Sequence, residues 1–234
     1  MATDDGPVEV GNDVQSGLAR AKPWYRQRST VVGIALVIAA AIAALVFTNG
    51  RAANHSAPAA PPSQTIKQYI TDNEISSTPV RLGDPGAPNI AIALPEGWSD
   101  MGEDTPPRAY GAVQLDNAED PNDPPTIVVL LSKLSGDVDQ AKILEYAPRE
   151  LMNLPGYEPV ADPISGELSG FDGVQLAGLY ERDGEMRTIA QKTVVIPVNG
   201  AVYVLQLNAD ALKSDAPALM QATEVIDQQT KIKP

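Results

Sequence analysis

Val31–Phe47 reads VVGIALVIAAAIAALVF, seventeen residues without a charge or a proline. As a helix the run spans about 26 Å at ~1.5 Å per residue, and Thr30 and Thr48 extend it toward the ~30 Å hydrocarbon core. Backbone groups in lipid must be satisfied within the segment, so a lone span has to be helical. Arg20, Lys22, Arg26 and Arg28 lie just before the run, and Arg51 follows it. This excess of bases on one side predicts a cytoplasmic N-terminus and an exported C-terminal part, with Trp24 and Tyr25 as interfacial anchors. A buried core helix would not be uniformly apolar with a basic flank. A cleaved signal peptide is the alternative, with small residues at Ala57 and Ala59. The apolar stretch of such peptides is usually ~7–15 residues after a short leader, and here both are longer.

The span divides the chain into four segments. Residues 1–29 are expected to form a disordered cytoplasmic tail, 30–48 a transmembrane signal-anchor helix, 49–63 an Ala/Pro-rich linker, and 64–234 an extracytoplasmic domain. The linker, NGRAANHSAPAAPPS, favours extended polyproline geometry, with a reach of roughly 45 Å at ~3.1 Å per residue. Its serines beside proline are candidate sites for O-linked sugar.

Charge is just as unevenly placed. The first 29 residues hold four acids and four bases, which leaves 26 acids against 13 bases beyond them, so the whole net charge of -13 belongs to the C-terminal part. Such a domain is repelled by phosphate backbones and anionic lipid surfaces, which argues against a nucleic-acid partner. The chain contains no cysteine. Disulfides, thiolate metal sites and an acylated N-terminal Cys are therefore ruled out.

Patterning from Ser63 onward predicts an α+β domain, an α/β/α sandwich with a largely antiparallel sheet. A helix starts at Ser63 or Thr65, with Ile66, Tyr69 and Ile70 on one side. Strands are expected at 78–82, 90–94, 109–115 and 126–133, the last (TIVVLL…) apolar enough to be covered on both faces. Residues 137–154 read as a helix capped by Asp139 and interrupted at Pro148. After a short strand at 164–168, Asp183-Gly184 and Asn199-Gly200 mark two hairpins joining 173–181, 186–196 and 201–208. A final helix runs from an Asp215 cap to Asp227, with Leu219, Met220, Thr223 and Ile226 as its stripe.

Residues suited to catalysis are sparse. The single histidine, His55, falls in the linker, so a Ser-His-Asp triad or a His-ligated metal inside the fold is not expected. Asp116, Glu119, Asp120 and Asp123 lie in a proline-containing loop without the central Gly or late Glu of a calcium loop, and read as a solvated acidic loop. Gly83-Asp84-Pro85-Gly86 lacks the Lys of a phosphate loop and reads as a turn. No catalytic residue, metal ligand or cofactor site is assigned. Aromatic rings remain. Trp98, Tyr110, Tyr180 and Tyr203 are the candidate ligand-binding residues, because amphipathic rings suit a sugar face or lipid headgroup. Tyr146 and Tyr157 belong to the same set of rings, and for each one core or sheet packing is the competing explanation.

Several stretches together resemble the mycobacterial LpqN/LpqT family of exported envelope proteins. They are Leu94-Pro-Glu-Gly-Trp98-Ser-Asp100, Ser132-Lys-Leu-Ser-Gly136, Lys142-Ile-Leu-Glu-Tyr-Ala-Pro148, Asn153-Leu-Pro-Gly-Tyr157, Leu168-Ser-Gly-Phe171, Ala190-Gln-Lys-Thr-Val-Val-Ile-Pro197 and Ala201-Val-Tyr-Val-Leu-Gln-Leu-Asn-Ala-Asp210. The resemblance implies a PsbP-like α/β/α sandwich and an accessory role in envelope glycolipid handling rather than an enzyme. It carries no catalytic residue over. Family members are often lipoproteins, and this chain departs from them in having no cysteine for an acyl anchor, a role the uncleaved helix would take. The expected function is a membrane-anchored binding module for an amphipathic lipid or glycolipid of the cell envelope. The alternative is a factor that docks an envelope or host protein.

Overall fold

The computed structural model describes residues 64–234. The tail, the Val31–Phe47 span and the linker with His55 lie outside them. Among the described residues no helix is long and apolar enough to cross a membrane.

The domain opens with helix α1 (Ile66–Asp72), then the short strands β1 (Ser76–Pro79), β2 (Asn89–Ala91), β3 (Trp98–Asp100) and β4 (Gly111–Leu115), and the long β5 (Thr126–Ser135). Helices α2 (Gln140–Tyr146) and α3 (Pro148–Met152) follow, and the short β6 (Glu158–Pro159) and β7 (Ile164–Leu168) lead into a meander of β8 (Phe171–Arg182), β9 (Glu185–Val198) and β10 (Ala201–Leu212). Helix α4 (Ala216–Gln229) and β11 (Lys231–Lys233) complete it. The expected α+β class with a large antiparallel sheet holds.

Local chemistry explains most of these boundaries. Thr65 caps α1 in a reciprocal box: the Gln68 amide N–H donates to Thr65 Oγ1 while Gln68 Oε1 accepts from the Thr65 amide. The Asp139 carboxylate accepts from the Ala141 and Lys142 amides and starts α2. Pro148 then breaks the helix as expected, and stands as the first residue of α3, where its missing N–H costs nothing. Asp183-Gly184 and Asn199-Gly200 have positive φ at both positions, the requirement of a tight two-residue hairpin. One cap differs from expectation. Asp215 precedes α4 but makes no capping hydrogen bond, because its ψ of 4° is not the extended conformation that aims a carboxylate at the first turn. The first strand also falls earlier than its apolar pattern suggested, at 76–79 rather than 78–82, since its pairing with β5 is set by backbone register along Ser132–Ser135.

The nine-stranded sheet runs β3-β4-β5-β10-β9-β8-β6, and β1 and β7 add to β5 and β8. The outer edge of β5 is shared between β4 and β1. The outer edge of β8 is shared between β6 and β7. A separate ladder pairs β11 with β2. Side chains alternate across a strand, so the two sheet faces collect different residues. One face gathers Ile127, Val129, Leu131, Val194, Ile196, Leu205 and Leu207, and α4 seals it with Leu219, Ala222 and Ile226. Lys192 fastens α4 to this face, its ammonium donating to the Asp227 carboxylate at 2.6 and 2.7 Å. The opposite face carries three smaller apolar clusters. The first sets Leu134, Val174, Val195 and Val204 against Ile66 and Tyr69 of α1 and Ile143 and Tyr146 of α2. The second holds Met101, Ala109, Ala112 and Val128. The third holds Leu151, Leu176, Tyr180 and Ile189, with Leu154 and Tyr157 packed against them.

Candidate functional site

Between those three apolar clusters the sheet is polar. The β10 positions on this face are Val204, Gln206, Asn208 and Asp210. Across the ladder, Asn208 lies opposite Gln191, Gln206 opposite Thr193, and Asp210 opposite Ile189 on β9. On the other side Thr126 lies opposite Asp210 on β5. Thr126, Gln191, Thr193, Gln206, Asn208 and Asp210 are all buried, Asn208 and Thr193 at 1 % exposure. Six polar side chains therefore floor one face in the middle strands, where burial without a partner is costly.

Their hydrogen bonds are only partly made. Gln191 Nε2 donates to Asn208 Oδ1 at 2.8 Å. Asn208 Nδ2, Thr193 Oγ1 and Thr126 Oγ1 are buried with no hydrogen-bond partner among the described residues. Tyr157 OH is in the same condition. Its ring lies on Gly178, the place where any larger residue on β8 would put a Cβ, and Gly178 is opposite Ile189, which is in turn opposite Asp210 in the same cross-strand row. Burial pushes the Tyr157 phenol up to about 12.

At one end the polar floor finishes in a set of charges. Asp210, fully buried, accepts from Arg187 Nε at 3.0 Å, from Arg182 Nη1 at 3.0 Å and from the Tyr180 hydroxyl at 3.2 Å. Arg187 then turns its two terminal nitrogens to Asp123 in a two-pronged pair, with Nη2 at 3.2 Å from Oδ1. Arg182 lies 3.7 Å from the same carboxylate. Two guanidiniums thus meet two carboxylates, and burial of one sign is matched by the other. Burial alone would lower the Arg187 guanidinium, but its hydrogen bonds to Asp123 and Asp210 outweigh this and hold it above its ordinary value. Burial, reinforced by the Asp210 carboxylate, lifts the Tyr180 phenol to about 12. The Asp215 carboxyl is raised by burial and then by the negative charges of Glu119 and Asp123.

The four rings singled out in the sequence do not converge. Trp98, Tyr110 and Tyr203 pack in the α4-side core. The Tyr110 hydroxyl accepts from the Ile90 amide at 3.0 Å, and the Tyr203 hydroxyl donates to the Gly86 carbonyl at 3.1 Å. Tyr180 alone faces the polar floor, where it holds Asp210. The acidic loop also departs from expectation. Asp116, Glu119 and Asp120 read there as solvated, but Asp123 is drawn inward onto Arg187, which is itself only 1 % exposed. No group of three or more His, Cys, Asp or Glu among the described residues is placed to hold a metal ion. What this geometry offers is hydrogen bonding from uncharged donors and acceptors, beside a charge cluster that is already neutralised within itself.

A signal for the floor was present in the strand sequences. Gln206, Asn208 and Asp210 stand two apart in β10, as do Gln191 and Thr193 in β9. Such alternation ordinarily marks the solvent side of an antiparallel strand, and here that side is covered.

Comparison with known proteins places the chain. The family described as "Probable lipoprotein LpqN" matches residues 62–233. This chain belongs to the LpqN family. The lipoprotein LpqN of Mycobacterium tuberculosis is 53 % identical over 177 residues, which cover 75 % of this chain and 77 % of that protein. A crystal structure of LpqN, described as involved in cell envelope biogenesis of Mycobacterium tuberculosis, superposes with a TM-score of 0.70 at 52 % identity, covering 74 % of this chain and all of that one.

Proposed function

We propose that this LpqN-family protein is an extracytoplasmic accessory factor of the mycobacterial cell envelope that binds an amphipathic envelope lipid or glycolipid. The observation that carries this is the set of buried, unspent groups at Asn208, Thr193 and Thr126. Each such group costs about 1–3 kcal/mol if it stays unsatisfied, and a ligand that supplies hydroxyls or amides removes that cost. An uncharged, hydroxylated headgroup such as that of an acyl-trehalose fits neutral donors and acceptors beside a self-compensated charge cluster. Ile66 and Tyr69 of α1 and Ile143 and Tyr146 of α2, packed against the sheet, form an apolar cluster that borders the floor. The naming of one relative as a lipoprotein, and of the solved LpqN structure as involved in cell envelope biogenesis, supports the envelope location. With no cysteine to acylate, this chain takes its membrane attachment from Val31–Phe47, N-terminus inside.

Lipid mass spectrometry on the protein purified from its native envelope tests this directly. A co-purifying glycolipid, together with saturable binding of acyl-trehalose that weakens in Thr193→Val, is the expected result. Recovery of one cross-linked protein partner and no lipid would replace it with a docking function.

A further inference from the structure

The segment from residue 116 to 125 (DNAEDPNDPP) joins β4 to β5, yet its Asp123 reaches Arg187 on β9 and Arg182 on β8. β10 lies between β5 and β9 in the sheet. Strands sit about 4.8 Å apart, so this contact carries the segment over the ends of β5 and β10 on the polar face. Beneath it lie Thr126 and Asp210, and Asn208 is two residues further along β10.

The backbone ties of the segment are at its root or within itself. The Asp116 amide donates to the Gly97 carbonyl and the Leu115 amide to the Pro125 carbonyl, both at its base. Asp120 accepts from the Asn122 amide at 2.8 Å and, through its carbonyl, from the Asp123 amide at 3.2 Å. Pro121, Pro124 and Pro125 restrict the remaining torsions. The tip is therefore a stiff unit whose polar hold on β8 and β9 runs through the Asp123 carboxylate, while Pro124 and Pro125 are buried at its root.

We propose that residues 116–125 form a releasable strap, latched by Asp123 on Arg187 and Arg182, which closes the Asp210 end of the polar floor. Releasing it leaves Arg187 and Arg182 sharing the Asp210 carboxylate through the hydrogen bonds both already make to it, with one positive charge in excess that the opened end turns toward water. Like charge favours release: Glu119 and Asp123 on the strap both act on the Asp215 carboxyl beyond it. A latch held by one carboxylate, with neighbouring acids pressing against it and Asp210 still bonded to both guanidiniums, is an element that can open locally. Its use as the ligand's entrance rests on the binding function proposed above; the latch itself does not.

The test is hydrogen–deuterium exchange on the full chain in detergent micelles, comparing wild type with Asp123→Asn and Asp123→Glu. Asp123→Asn should speed exchange in the peptide spanning Leu115–Thr126 about tenfold while peptides of α4 and central β9 keep their protection, and Asp123→Glu should restore much of the slow exchange. Acyl-trehalose should then associate faster with Asp123→Asn than with wild type. Unchanged exchange at 115–126, or acceleration spread over the whole sheet, overturns the strap, the second result marking Asp123 as a general prop of the fold. Local acceleration with acyl-trehalose binding to neither protein upholds the strap and removes the ligand proposed for the floor.

Discussion

On the α4 side of the sheet, β10 presents Tyr203, Leu205, Leu207 and Ala209; on the other side the same strand presents Val204, Gln206, Asn208 and Asp210. Both sets are buried, and both belong to one strand with one register. The first set meets a single helix in a continuous apolar core. The second meets three separate apolar patches with a polar gap among them, and part of its hydrogen-bonding capacity goes unused. A sheet buried on both faces can therefore place its stability on one and leave the other free to carry a site.

That contrast is open to measurement. The largest effect should come from the dry side: Leu205→Ala removes a fully buried side chain and should cost about 2–5 kcal/mol in urea unfolding. A loss well under that range would mean the α4 face is not the main store of stability. Next comes Gly178→Ala at the border of the polar floor. The added methyl meets the Tyr157 ring and lies 2.6 Å from the Glu158 carbonyl oxygen, so a loss of about 1–3 kcal/mol is expected. A stability equal to wild type would show that Tyr157 is not fixed over the sheet.

A third experiment uses pH. A phenol raised to about 12 in the fold but ionising near 10 when unfolded favours the folded state fully below pH ~10 and loses that contribution as pH rises toward 12. Melting temperature should thus fall between pH 10 and 12, and Tyr157→Phe, which removes a hydroxyl without a partner, should flatten that fall. An identical slope in the variant would place the Tyr157 hydroxyl in water.

The smallest stability change is expected at Thr193→Val, on the polar floor. Replacing an unpaired buried hydroxyl by a methyl should alter unfolding by less than about 1 kcal/mol, in the neutral or stabilising direction. Acyl-trehalose binding should weaken in the same variant. A strongly destabilised Thr193→Val would mean that the hydroxyl is already spent within the fold, and the two faces would no longer differ in kind.

The sequence and the structure agree where a local rule acts alone. Asp-Gly and Asn-Gly demand positive φ and so fix both hairpins, Thr65 and Asp139 start their helices, and Pro148 ends one. The apolar run of β5 correctly indicated cover on both sides, with Ile127, Val128 and Val129 all buried. The short strands β3, β6 and β11 were not legible, because two or three residues carry no period and their pairing is decided by neighbours distant in sequence. The site escaped for a related reason. Alternation in Gln206, Asn208 and Asp210 says only that one side of a strand is polar, and whether that side meets water depends on where α1, α2 and the 101–110 loop come to rest. Asp123 was indistinguishable from Asp116 and Asp120 without knowing that Arg187 would arrive beneath it.

The shared outer edges of β5 and β8 have a bearing on how such a protein survives without disulfides. No long strand lies along either rim of the sheet; each rim is broken into pieces of two to five residues. Pro79 and Pro159 sit in two of those pieces and offer no amide to an incoming chain. A second molecule searching for backbone to template on finds only interrupted stubs, so a chain this rich in β-structure stays protected from fibril-like association at the high local density of an envelope.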